Sequence, residues 1–238
     1  MHHDNGLHAY SPTLQKCSDR LWRVGTVGLM YVLLFAPPRR ASSEDPIPAL
    51  AQTLAPLGLR GGPERTIGRE AIAVADRAST ALDAIRAARE EGAWRIGLGI
   101  GDVVHPLPAE LRALEGPAIQ AAQDALHIAA TTSQVPVAIR AADPRQAETA
   151  HDAQAVLRLI GWMIATRNRG QWRVARAVRE HPDWTQQQLA DHLGVTQQTV
   201  SRSLQTSGWR EESAAYPLLE RLLSMIDLTS APTDRSTR

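Results

Sequence analysis

The stretch from Trp184 to Arg210, WTQQQLADHLGVTQQTVSRSLQTSGWR, constrains the chain more than any other, because it spells two short helices and the turn between them. Thr185 is placed as an N-cap whose hydroxyl accepts a free backbone N–H, and Gln188, three residues on, can reach back to it as a capping box. Trp184 before the cap and Leu189 inside the helix have the spacing of a hydrophobic staple. Gly194 supplies the left-handed residue that ends this first helix. The second helix repeats the grammar: Thr196 caps, Val195 and Val200 form the staple, and Gly208 terminates, with Trp209 spaced to fold back on Leu204. Leu189, Ala190, Leu193, Val195, Val200 and Leu204 all face inward if the helices cross steeply at Gly194, which is the pattern of a helix-turn-helix.

In that geometry the second helix offers Gln197, Gln198, Ser201 and Arg202 on its leading outer face, the face that enters a major groove. Glutamine pairs bidentately with adenine and arginine with guanine, so these four are the expected base-contacting residues. Thr185, Thr196 and Thr199 are suited to phosphate contacts. The alternative is a three-helix protein-binding module with a solvated Gln/Ser/Thr face. Gly170 to Glu180, with Trp172, Ala175 and Val178 on one side, reads as the support helix of the unit. Between Arg158 and Arg179 lie Arg167, Arg169, Arg173 and Arg176 without one acidic residue, which favours phosphate contact and adds Arg169 and Arg173 to the expected phosphate anchors. So small a unit gains affinity by pairing two half-sites, and a homodimer on double-stranded DNA is the expectation.

The net charge of the 238-residue chain is only +1, so nucleic-acid affinity has to come from local clustering and not from the molecule as a whole. Lys16 is the sole lysine, and the arginine and alanine bias suggests a GC-rich coding sequence, which discounts arginine abundance as a signal. The single cysteine, Cys17, excludes an internal disulfide and a cysteine-based metal cage and fits a reducing cytoplasm. His151 beside Asp152, and His105 after Asp102, have no second spaced cluster to support a metal site. No metal and no cofactor are expected.

Residues 1–29 hold the only Lys, the only Cys and a His2, His3, His8 cluster, with no amphipathic period, and are expected to be a disordered extension ahead of a natural start at Met30. The apolar run Val24 to Ala36 is too short to span a bilayer, and Pro37, Pro38, Arg39 and Arg40 make a poor cleavage region, so Tyr31 to Phe35 reads as a buried strand. Residues 30–142 alternate periods as a mixed α+β domain. Asp45 and Pro46 start a helix to about Leu57, and Thr66 to Val74 reads as a hairpin around Gly68 and Arg69. Asp76 or Arg77 opens a helix that ends near Gly92. In WRIGLGIG, Trp94, Ile96, Leu98 and Ile100 point one way and Arg95, Gly97, Gly99 and Gly101 the other, leaving a bare face against which a helix can pack closely. These glycines, spaced by two, are not a dinucleotide fingerprint. Gly116 and Pro117 begin an alanine-rich helix to about Ala130, and Val135 to Arg140 reads as a final strand. After the linker at Asp143 and Pro144, residues 143–228 are expected to be all helical. They start with a long helix to Thr166 and end with one bearing Leu218, Leu219, Leu222, Leu223 and Ile226, which would cover the trihelical unit or pair with a second subunit. Residues 229–238 read as a polar tail.

WRIGLGIGDVV followed by LEGPAIQAAQDAL resembles the SatD family, most specifically over Arg95 to Asp102 and Glu115 to Ala122. That family is similar in turn to the ferredoxin-like palm of class III nucleotide cyclases, so the resemblance implies a βαββαβ core for the first domain. In such a palm, carboxylates at the end of the first strand and in the central hairpin would hold two metals. Here the strand runs into Ala36, Pro37 and Pro38, and the hairpin reads Gly68, Arg69, Glu70, with an arginine that repels a cation. Glu64, Glu70 and Asp102 remain but do not make a recognisable two-metal set. The chain is therefore expected to be an α+β, ferredoxin-like domain followed by an all-α helix-turn-helix domain. It is expected to act as a cytoplasmic transcriptional regulator by binding and not by catalysis, with an unidentified small-molecule effector as a further possible partner and no membrane contact. The rival readings are a nucleotide-processing palm localised to DNA and a protein-binding adaptor.

Overall fold

The structure, a computed structural model, describes residues 27–38 and 44–230. Lys16, Cys17 and the N-terminal histidines, together with the polar tail from residue 231, lie outside the described residues.

The central strand is β1, Val27–Ala36, which begins three residues before the expected Met30. Val27, Gly28 and Leu29 thus belong to the sheet, paired with Val104, Val103 and Asp102, and not to an extension. The chain continues through α1 (Ile47–Leu54), β2 (Gly61–Arg65), β3 (Ala71–Ala75), α2 (Ala78–Glu91), β4 (Arg95–Val104), α3 (Pro117–Thr131) and β5 (Val137–Ala141). The sheet order is β2-β3-β1-β4-β5. The first four strands are antiparallel throughout, with Leu33 opposite both Ala73 and Leu98, while β5 adds in parallel to β4. The hairpin turns around Gly68 and Arg69 as expected, but its first strand lies earlier than the sequence pattern suggests, because Gly61 to Arg65 carries no apolar alternation and its pairing slips between Gly61 and Glu64.

Both faces of β1 are covered, which is why its sequence is a continuous apolar run. Tyr31, Leu33 and Phe35 point into a core shared with α1 and α2, whereas Met30, Val32 and Leu34 face α3. The glycines of β4 explain how close α3 lies. A Cβ on Gly99 would sit 2.2 Å from the Ala118 carbonyl oxygen and 2.3 Å from the Ala122 nitrogen, and one on Gly97 would sit 2.3 Å from the Leu126 nitrogen.

The remaining elements are helical: α4 (Ala147–Ile164), α5 (Arg169–Glu180), α6 (Gln186–Leu193), α7 (Gln197–Thr206) and α8 (Trp209–Ser230). The core does not divide at 142/143. Ala150, Ala153, Leu157, Ile160 and Ile164 of α4, with Leu219, Leu223 and Ile226 of α8, join the same core as Tyr31, Leu33 and Phe35. The Tyr31 hydroxyl donates to the Leu223 carbonyl across 3.3 Å. The buried stripe of α8 packs into the core on the sheet, while Glu212 near its start meets Arg167 and Arg179 at the base of the trihelical unit. Pro217 lies inside this helix. No helix among the described residues is long and apolar enough to cross a membrane.

Candidate nucleic-acid interface

The unit built by α5, α6 and α7 has its own core of Val174, Ala177, Leu189, Ala190 and Val200, with Val178, Leu193, Val195 and Leu204 packed around it. Each helix starts on a polar cap. Asn168 and Gln171 form a capping box on α5, and Thr185 and Gln188 form one on α6. On α7, Thr196 Oγ1 accepts the Thr199 N–H at 3.2 Å and lies 2.9 Å from the Thr199 hydroxyl. Trp184 lies flat on His181, with ring centroids 3.6 Å apart.

The turn between α6 and α7 depends on Gly194, at φ 66° and ψ 37°, where the chain is left-handed. A Cβ there would meet nothing within 4 Å. The cost of Gly194→Ala is therefore purely conformational, about 1–2 kcal/mol for a left-handed L-residue. Urea denaturation should show that loss, with the helical circular dichroism of the folded baseline unchanged. Arg173 reinforces the turn by donating from Nη2 to the Leu193 carbonyl at 3.0 Å, and Gln171 ties α5 to α7 through the Thr206 hydroxyl at 3.0 Å.

With the turn fixed, Gln197, Gln198 and Arg202 are exposed on the outer side of α7, and Ser201 beside them is half-buried. Thr185, Thr196 and Thr199 are exposed at the N-terminal ends of α6 and α7, where free N–H groups and the helix dipole favour an anion. The threonine hydroxyls already serve their own helices as caps, so the anion-attracting groups at these ends are also the backbone amides. Arg169 and Arg173 are exposed on α5. Arg169 is the first residue of its helix, where the dipole disfavours a cation, so its charge does not serve helix stability.

Arg173 thus combines exposure with one internal bond, and Arg158, Arg167, Arg176 and Arg179 are engaged within the fold, so the run is not a free phosphate-binding cluster. Arg158 donates to the Val137 carbonyl at 2.8 Å and to the Thr132 hydroxyl at 3.1 Å. Arg176 and Arg179 both pair with Glu90 of α2, and Arg179 also reaches Glu212 of α8 at 2.9 Å. Arg167 donates from Nε to the Ser207 carbonyl at 2.7 Å, and its Nη2 lies 2.7 Å from Glu212 Oε2, off the line of a hydrogen bond, so that contact is an ion pair. The run lacks acids in sequence, but α2 and α8 supply them in space. Sequence reasoning missed Glu90 and Glu212. The one signal for them was that Glu212 falls on the buried side of its helix.

The carboxylates of the sheet region are dispersed. Glu64 accepts the Leu111 N–H at 2.7 Å, and Arg69 donates to the Glu44 carbonyl, tying the hairpin tip to the segment before α1. Among the described residues no three His, Cys, Asp or Glu side chains are grouped to hold a metal ion.

A family model described as the MarR family matches residues 166–206, which span α5, α6 and α7 and stop before α8. No curated protein and no solved structure matches the chain.

Proposed function

We propose that this chain is a cytoplasmic transcriptional regulator that binds double-stranded DNA, as a homodimer on paired half-sites, by placing α7 in the major groove. The observation that carries the reading is the fully capped α6–turn–α7 unit, which lies inside the stretch similar to the MarR family and leaves Gln197, Gln198 and Arg202 exposed together on one helix face. Gln197, Gln198, Ser201 and Arg202 read base edges in this reading; Thr185, Thr196, Thr199, Arg169 and Arg173 hold phosphates. The chain works by binding and not by catalysis. For the sheet domain we propose a ferredoxin-like palm of the SatD kind. The β-α-β-β-α-β succession through β4, with the antiparallel order β2-β3-β1-β4, supports it.

The test is selection of duplexes from a random pool, followed by shift assays across a salt series. Affinity should fall steeply with salt, and Arg169→Ala or Arg173→Ala should each weaken binding uniformly across sequences and reduce the salt slope by about 1. Arg202→Ala should instead lose ~1–3 kcal/mol of discrimination at one base pair. Absence of retention on any duplex at low ionic strength would reject the reading.

A further inference from the structure

On the sheet face that carries α3, a groove of about 670 Å³ opens between that helix, the tip of the β2–β3 hairpin and the loop that precedes α3. Leu34, Ile72, Leu114 and Ile119 give it an apolar floor and walls, and Ile67 at the hairpin tip, 82% exposed, extends them. Strand register sets its polar end. Arg95 is the partner of Ala36 across β4 and β1, and Glu70, one residue beyond the Phe35–Ala71 pair, falls on the other side of Ala36. Side chains alternate along a strand, so Glu70 shares the face of Ile72, Ala36 that of Leu34, and Arg95 that of Gly97, which is the face toward α3. A carboxylate and a guanidinium therefore flank an alanine, on backbones two strand spacings, or roughly 10 Å, apart. Both line the groove, and they make no ion pair with each other. Arg95 is held through Nε, which donates to the Pro37 carbonyl at 3.0 Å. Arg112, the other guanidinium of the groove, is paired with Glu110.

We propose that this groove binds an apolar α-amino acid as its zwitterion, the ammonium on Glu70, the carboxylate on Arg95 and the side chain on the surface of Leu34, Ile72 and Leu114. Opposite charges on the two sides of Ala36 suit a ligand that carries both. A simple carboxylate would face the charge of Glu70, and a simple amine that of Arg95. The terminal nitrogens of Arg95 offer a planar fork to a carboxylate, and an ammonium offers three donors to Glu70. The volume is in the range of grooves that hold small organic ligands, and the apolar floor selects among amino acids by side chain. The assignment concerns the free protein and does not rest on DNA binding.

Isothermal titration of the full chain, without DNA, tests it. L-leucine and L-phenylalanine are the probes, with the N-acetyl derivative of each, which lacks the ammonium, and the amide of each, which lacks the carboxylate, as controls. At least one probe should bind saturably at millimolar concentration or below, with its two derivatives and glycine each weaker by about tenfold or more. Glu70→Gln should bind the N-acetyl derivative as tightly as the free amino acid, because the charge that distinguishes them is gone. Glu70 is half-buried in the hairpin turn and its side chain caps no helix, so this variant should keep the circular dichroism of the wild type. Absence of binding by both probes, a derivative that binds as well as its parent in the wild type, or a preference for the free amino acid retained in Glu70→Gln overturns the assignment.

Discussion

Glu212→Ala is expected to remove about 3–5 kcal/mol of folding stability. The Glu212 side chain is 1% exposed and so is that of Arg167, and Arg179 reaches the same carboxylate while lying over the Trp209 ring at 5.1 Å. Truncating Glu212 therefore leaves Arg167 as a buried charge with no acid, and the penalty comes from that stranded charge more than from the lost attraction. Against a typical total of roughly 5–15 kcal/mol, such a loss approaches unfolding at ambient temperature. Urea denaturation measures it. The physical account also predicts recovery: Arg167→Met combined with Glu212→Leu should regain most of the stability, because it removes both charges and refills the volume. A double variant as unstable as Glu212→Ala would mean that the carboxylate acts through something other than neutralising Arg167.

Gly99→Ala is expected to cost roughly 3 kcal/mol, the upper end of overpacking penalties, although it adds a single methyl group. The added carbon would overlap backbone atoms of α3 at 2.2 and 2.3 Å, and a backbone cannot rotate out of the way as a side-chain tip can. Relief requires sliding α3 along or away from β4, which also disturbs Ala118, Ala122 and Leu126 in the core on that face. Gly92→Ala is the matched control, since a Cβ there meets only Trp94 side-chain atoms, at 3.8 and 3.9 Å. Parallel melts of the two variants should separate them clearly. Equal Tm values would show that α3 is free to adjust.

The close approach of α3 to Gly99 was readable in the sequence. Ile or Leu alternating with Gly in β4 announces a strand with one bare face, and α3 fills that face as the pattern implies. The caps of α6 and α7 were equally legible, since each is a local interaction between residues three apart. Long-range electrostatics were not. Arg176 and Arg179 look unpaired until α2 brings Glu90 across 86 and 89 positions of chain. The first strand of the hairpin was hidden for a related reason, although its turn at Gly68 and Arg69 was legible: β2 is an edge strand with Pro63 and two glycines, held by pairing to β3 and not by any pattern of its own. The stripe on α4 showed that the helix packs on something, but only the folded core shows that its partner is the sheet.

The return of α8 to the sheet has a mechanical consequence. The α5–α7 unit, the reading head of the proposed function, is moored at both ends, by α4 on entry and α8 on exit, with Arg167 holding the Ser207 carbonyl at 2.7 Å where the two moorings meet. A head hung on a single tether searches a volume set by tether length, and two such heads accommodate many separations along a duplex. A head gripped at both ends inherits its orientation from the body that grips it, so in a pair of subunits the distance between heads would be dictated by how the bodies dock.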